Sequence, residues 1–149
     1  MKDLIRMQNL AKRNTLDKEQ IKQKSSLIQE KLEQLPEYQE AKAILFYFGV
    51  KNEVQTGKMI KSTLEKGKKV FLPKTNFEKR TISIVQINSL ENLVETKQGL
   101  FEPEGKEETV ETIDLIILPG VAFDLEGRRI GQGMGFYDSL LRKTKTNVP

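Results

Sequence analysis

Apolar residues recur along this chain with two periods, one helical and one extended. From Lys2 to about Lys12, Leu4, Ile5 and Leu10 give a helix an apolar side. Asp17, with Gln20 three residues on, forms a capping segment that opens a second helix running to about Gln34. Ile21, Ile28, Leu32 and Leu35 recur there at helical intervals and are expected to face the core, and Pro36 stops the helix. Ala43 to Phe48 is a continuous apolar run rich in β-formers and reads as a central strand. Thr56 is expected to cap a helix with Met59, Ile60 and Leu64 on one face, ended by Gly67. Val70-Phe71-Leu72 is the next strand, closed by Pro73, which completes a βαβ unit with an expected right-handed crossover.

Thr81 to Ile87 alternates around Ile82 and Ile84, as an edge or hairpin strand does. Ser89 to Val94 reads as a short helical turn, and Lys106 to Glu111 as an exposed polar segment. Ile113 to Leu118 is a short apolar run closed by Pro119-Gly120, the pattern of a buried strand of the parallel type. Tyr137 to Lys143 reads as a helix with Leu140 and Leu141 inward. The order β, α, β and later β, loop, α gives an α/β sandwich, with a single domain over residues 1–149.

Composition narrows what this domain can do. A chain of 149 residues, 37% hydrophobic, is long enough for one real core and too short for two domains of ordinary size. It has no Cys and no His, so disulfides, thiolate metal sites, a thiol nucleophile and a histidine base are excluded, and a metal here would be a hard, oxygen-bound ion such as magnesium. No apolar run approaches the roughly 20 residues that cross a bilayer, and the N-terminus lacks a signal-peptide core, so a cytoplasmic protein without a membrane partner is expected. The net charge is +4, with eight Lys or Arg against four Asp or Glu up to Lys31. Such a basic end suits a polyanionic partner, although a solvated helix face accounts for most of those charges equally well.

The candidate chemistry lies between the last strand and the last helix. Gly131, Gly133 and Gly135 stand at every second position, preceded by Arg128 and Arg129 and followed by Tyr137 and Asp138. A strand, a glycine-rich loop and a helix start can point unpaired backbone N–H groups into one concavity, an anion site suited to phosphate. This spacing is neither the dinucleotide fingerprint nor the P-loop, and such a loop serves as a turn more often than as a ligand site. Lys2 and Arg6, four apart, would share a helix face and could reach one anion, though each is also an ordinary surface charge. Glu53 follows the Ala43–Phe48 strand at its C-terminal end, where open α/β sheets place ligands. Lys74 is expected on the same rim.

The string Leu118-Pro119-Gly120-Val121-Ala122-Phe123-Asp124, then Gly127-x-Arg129-Ile130-Gly131-x-Gly133-x-Gly135-Phe136-Tyr137-Asp138, resembles the signature of the 5-formyltetrahydrofolate cyclo-ligase (5,10-methenyltetrahydrofolate synthetase) family. Tyr38-Gln39, Asn52-Glu53-Val54-x-Thr56 and Glu102-Pro103 also look like the family. The resemblance implies a three-layer αβα sandwich with a mainly parallel sheet, as in CoA-transferase and ribose-phosphate isomerase relatives. It implies an ATP-dependent ligase of folate one-carbon metabolism that converts 5-formyltetrahydrofolate to 5,10-methenyltetrahydrofolate, releasing ADP and phosphate. The formyl oxygen is phosphorylated, N10 attacks the activated carbon, and phosphate departs; no protein nucleophile is needed.

Residue by residue, the resemblance implies ATP binding by Lys2, Arg6, Arg129, Ile130, Gly131, Gln132, Gly133, Met134, Gly135, Phe136 and Tyr137. It implies folate binding by Phe48, Glu53, Gln132, Met134 and Phe136, catalytic roles for Arg129 and Glu53, and a magnesium ligand at Asp138. The implied partners are ATP, magnesium and a reduced folate, with or without a polyglutamate tail; neither nucleic acid nor an oligomer is expected. Gln132, Met134 and Ser139 depart from residues usual at those places, which takes cations from the loop. Family members continue past the glycine-loop helix with further sheet and a second acidic magnesium ligand, so an open sheet edge, lower stability and a metal site short of a ligand are expected. A homologue that binds nucleotide or folate without turnover is the alternative. A nucleic-acid-binding module built on the N-terminal helices is a third reading, disfavoured because aromatic residues do not interleave with the lysines.

Overall fold

The computed structural model describes residues 1–132, 135–144 and 148–149. In chain order it contains α1 (Lys2–Asn14), α2 (Lys18–Gln34), α3 (Pro36–Glu40), β1 (Ala43–Leu45), α4 (Gly57–Glu65), β2 (Lys69–Asn76) and β3 (Thr81–Ile87). There follow β4 (Val94–Glu95), β5 (Phe101–Glu102), β6 (Glu107–Glu108), β7 (Leu115–Ile116), β8 (Ala122–Phe123), β9 (Arg129–Ile130) and α5 (Phe136–Leu141). Five strands form the main sheet in the order β6-β3-β2-β1-β7. Within it β1 runs parallel to both β2 and β7, while β3 and β6 add an antiparallel side.

The central strands are apolar throughout because both faces of the sheet are covered. Ile44, Val70, Leu72 and Leu115 point into one cluster with Leu32, Tyr38, Met59 and Ile60 of α2, α3 and α4. Their neighbours Leu45, Phe71 and Ile116 point the other way, to Ile82, Ile84 and to Phe136 and Leu140 of α5. Two cores separated by one sheet make three layers. Among the described residues β7 ends the sheet; on its outer side Ile116 N–H donates to the Pro149 carbonyl at 2.9 Å, and Val148 packs on the second core.

Local patterns were reliable where local chemistry decides. Asp17 and Gln20 form the reciprocal capping box, at 2.8 and 2.9 Å, and β3 has the expected bounds. The inward face of α2, however, is Ile21, Ser25 and Leu32, leaving Ile28 41% and Leu35 46% exposed. Ile28 sits on the flank of that stripe and Leu35 at the bend into α3, which Pro36 starts as well as ending α2. Leu4 is also exposed, since α1 buries no residue completely. Thr56 does not cap α4 with its side chain. Its hydroxyl donates to the Tyr47 carbonyl at 2.7 Å and accepts from Gly49 N–H at 3.1 Å, which closes the loop after β1.

β2 continues past Pro73 to Asn76, because pairing with β1 ends at Phe71 and the ring lies where no neighbour calls for a donor on that side. Lys74 accordingly sits within the strand opposite Ser83, not at its end. β3 is an inner strand, as β6 pairs beyond it, so the segment from Lys106 to Glu111 is partly structured and buries Val110. The short hairpins β4–β5 and β8–β9 were unforeseen. In the second, the Asp124 carboxylate accepts from Glu126 and Arg128 N–H groups at 2.9 Å, and these bonds, those from Arg128 first, hold it below the usual carboxylate range.

Candidate active site

The C-terminal ends of β1, β2 and β7 open onto a cavity of about 460 Å³, within the size range of small-molecule sites. Each described residue to which the resemblance gives a site role lines it: Lys2, Arg6, Phe48, Glu53, Arg129 to Gln132, and Gly135 to Asp138. Gly133 and Met134 lie outside the described residues.

Three segments build its walls. α1 places Lys2 and Arg6 one helical turn apart, and Arg6 Nε donates to the Gly131 carbonyl at 2.8 Å, which docks the helix on the glycine loop. Arg129, at the end of the β8–β9 hairpin, has a side chain only 14% exposed. Its Nη1 donates to the Pro119 carbonyl at 2.8 Å, its Nη2 to Asp138 Oδ1 at 3.0 Å, and its guanidinium carbon lies 6.0 Å from the centre of the Tyr137 ring. A Cβ at Gly131 would stand 2.7 Å from Arg129 Nη1, so any larger residue there displaces the Arg129 guanidinium. At Gly135 the requirement is conformational, φ being 74°, at the entry to α5. α5 has six residues, fewer than expected, so the positive charge here comes mainly from Lys2, Arg6 and Arg129 and only weakly from a helix end.

The loop after β1 supplies the second wall. Val50 N–H donates to Glu53 Oε1 at 2.9 Å, and Gln55 N–H donates to Ser25 Oγ of α2 at 2.8 Å. The loop thus holds Tyr47, Phe48 and Glu53 against the cavity. Burial, then the negative charge of Glu53, pushes the Tyr47 phenol up to about 12, with Arg13 of α1 pulling the other way. Tyr137 is raised further, again by burial first and then by Glu53 and Tyr47. Both phenols therefore remain protonated donors at neutral pH, and one carboxylate influences both. Sequence reasoning missed Tyr47, which looks like one more core aromatic in an apolar run.

The third wall was missed altogether. Thr75 and Phe77 reach the cavity from the extension of β2, and Gln98 and Leu100 from the β4–β5 hairpin. Phe77 meets Phe136 edge-on at 5.1 Å, and Phe101 meets Phe48 likewise at 5.8 Å. Lys74, expected on this rim, is not among the lining residues; strand alternation gives the place to Thr75.

The arrangement suits a phosphate-bearing and an aromatic guest together. Three cations, a close-approach glycine and polar backbone lie on one side, while phenyl rings and a fixed carboxylate lie on another. Among the described residues no cluster of three or more His, Cys, Asp or Glu could cage a metal. Asp138, 66% exposed at its side chain, is a single carboxylate of the kind that holds magnesium together with phosphate oxygens and water. That donor set fits a nucleotide-bound magnesium ion and does not fit a metal held by protein alone.

Comparison with known proteins gives the family and the fold. The sequence profile of the 5-formyltetrahydrofolate cyclo-ligase family matches residues 1–148. A mouse 5-formyltetrahydrofolate cyclo-ligase is 33% identical over 136 residues, covering 86% of this chain and 67% of the mouse protein. A probable 5-formyltetrahydrofolate cyclo-ligase of Caenorhabditis elegans is 34% identical over 142 residues, covering 90% and 69%. The solution structure of Aquifex aeolicus 5,10-methenyltetrahydrofolate synthetase superimposes with a TM-score of 0.83 at 37% identity, over 97% of this chain and 73% of that one. A Mycoplasma pneumoniae 5,10-methenyltetrahydrofolate synthetase, at 22% identity and a TM-score of 0.77, shares the fold. The α/β fold with its parallel sheet centre, the cavity at the strand ends and the profile spanning the chain all lead to one statement: this protein belongs to the 5-formyltetrahydrofolate cyclo-ligase family.

Proposed function

We propose that this chain catalyses the ATP-dependent conversion of 5-formyltetrahydrofolate to 5,10-methenyltetrahydrofolate, with ADP and phosphate released. The observation that carries this reading is the single cavity in which Lys2, Arg6 and Arg129 share a wall with Gly131 and Asp138, and in which Phe48, Glu53 and Phe136 also stand. ATP supplies the phosphoryl group that turns the formyl oxygen into a leaving group, and Asp138 would hold a magnesium ion whose charge would offset that of the phosphates. Neither task needs a nucleophile from the protein, which suits a chain without Cys or His.

What the chain supplies is placement and charge. Lys2 and Arg6 hold the phosphates from α1, and Arg129 neutralises the charge that develops as the phosphoryl group moves. Arg129 is already oriented by Pro119 and Asp138, so little reorganisation is required. Backbone from Ile130 to Gln132, with Gly135, faces the phosphates, flanked by Phe136 and Tyr137. Phe48 and Phe136 pack on the pterin, with Gln132 at its edge. Glu53, fixed by Val50 N–H, accepts a hydrogen bond from the pterin and so turns N10 toward the activated carbon.

The test is methenyltetrahydrofolate formation followed by absorbance on the 149-residue protein, with and without ATP and magnesium. Product that depends on both supports the proposal. Binding of 5-formyltetrahydrofolate and ATP with no product supports a homologue that holds its ligands without turnover, and binding of neither refutes both readings.

A further inference from the structure

A buried carboxylate outside the residues assigned above joins two walls of the cavity. Glu102 of β5 is 8% exposed, and its Oε2 accepts from Thr75 N–H at 2.9 Å and from the Thr75 hydroxyl. The reason lies in the geometry of β2. Its pairing with β1 ends at Phe71, whose carbonyl accepts from Phe46 N–H, and the next two residues facing that way are Pro73 and Thr75. Pro73 has no N–H to satisfy, but Thr75 does, and no strand lies beside it. The Glu102 side chain takes the place of that strand. Pro103, also buried, follows at once and favours the extended backbone that directs Glu102 inward.

Both ends of this link face the cavity. Thr75 and Phe77 line it from β2, Gln98 and Leu100 from the β4–β5 hairpin, and the residue beside Glu102, Phe101, meets Phe48 edge-on at 5.8 Å. The hairpin makes few other attachments: β4 and β5 pair only with each other, and the main sheet does not include them.

We infer that Glu102 is a positioning residue for the folate: its carboxylate latches the β4–β5 hairpin to the extension of β2 and so sets Thr75, Leu100 and Phe48 for the reduced pterin. The inference rests on the proposed folate activity and adds to it a residue that touches neither substrate. A latch of this kind acts on the folate wall and leaves the Arg6–Gly131–Arg129 side intact. It therefore separates the two substrates, whereas a merely structural bond affects both.

The experiment compares Glu102→Ala, Glu102→Gln and Thr75→Val with the parent chain. Equilibrium dialysis measures 5-formyltetrahydrofolate and, separately, ATP with magnesium, and steady-state assays give both KM values. Glu102→Ala is expected to weaken folate binding tenfold or more and to leave ATP binding within twofold. Glu102→Gln keeps one amide oxygen that can accept from both the N–H and the hydroxyl, so it is expected within threefold of the parent for both ligands. Thr75→Val removes only the hydroxyl and decides the matter if Glu102→Ala does not fold; about threefold weaker folate binding with unchanged ATP binding is expected. Equal losses for both ligands in Glu102→Ala, or unchanged folate binding in it or in Thr75→Val, overturn the latch. Absence of folate binding by the parent chain refutes the proposed function itself, a result distinguishable from any difference among variants.

Discussion

Arg129 offers the sharpest test of how charge is organised in the cavity. Replacing it with Lys keeps the positive charge and removes the planar fork that now reaches Pro119 O at 2.8 Å and Asp138 Oδ1 at 3.0 Å. An ammonium on a flexible stem can keep one of these partners in place, not both, and cannot lie over the Tyr137 ring as a plane does. One hydrogen bond involving a charged group is worth about 1.5–3 kcal/mol. If that orientation is needed in the transition state, kcat/KM falls roughly 10- to 150-fold, at about 1.4 kcal/mol per decade. Stability should change little, because the Asp138 side chain is 66% exposed and such a pair contributes less than about 1 kcal/mol. For a domain of this size that is a fall in Tm of at most about 4 °C. The assay is initial-rate formation of methenyltetrahydrofolate with each substrate varied in turn, beside a thermal melt. A kcat/KM within threefold of the parent, or a loss matched by unfolding, would refute the placement of Arg129 at the reacting phosphate.

Three other outcomes follow from the same geometry. Gly131→Ala brings a Cβ to 2.7 Å from Arg129 Nη1 and should raise the KM for ATP about tenfold; an unchanged ATP dependence counts against a phosphate role for this loop. Glu53→Gln keeps the shape and removes the charge, so the KM for 5-formyltetrahydrofolate should rise more than that for ATP, and equal rises would argue against a folate role. The third concerns alkaline stability, since the folded chain holds the Tyr47 proton to about 12 against an ordinary 10. The folded state then binds more protons than the unfolded chain in that interval, so this stability is full below pH 10 and is lost as pH rises toward 12. Tyr47→Phe should flatten the fall of Tm in that window, and an identical pH profile would show that Tyr47 is not buried as described.

Much of the fold could be read from local patterns. The Asp17–Gln20 capping box, β3 and the parallel-type strands β1, β2 and β7 follow from side-chain period and composition, but the pairing of β7 with β1 does not. β6 and the β4–β5 and β8–β9 hairpins could not, because two-residue strands carry no period to detect. The candidate site was legible along Arg129 to Gln132 and Gly135 to Asp138, and at Lys2, Arg6, Phe48 and Glu53 through resemblance. Thr75 was hidden for a different reason. Pro73 looks like a strand terminator, and only the tertiary arrangement, with β1 ending at Phe71, allows the strand to continue to the cavity. Glu102 was visible as part of a Glu-Pro pair without a role, since its partner lies 27 residues away. Arg6 also contributes in a way that sequence could not show, by docking α1 on the Gly131 carbonyl.

The proposed reaction requires simultaneous occupancy: nucleotide phosphates beside Arg6, Gly131 and Arg129, and reduced folate beside Phe48 and Glu53, in one cavity. Amide NMR on the labelled protein tests this directly, with a non-hydrolysable ATP analogue and magnesium added first and 5-formyltetrahydrofolate second. The nucleotide is expected to shift Gly131 and Gly135, and the folate to shift Phe48, Glu53 and Thr75 while the first set stays bound. Displacement of the nucleotide by the folate, or shifts that leave these residues unmoved, would contradict it.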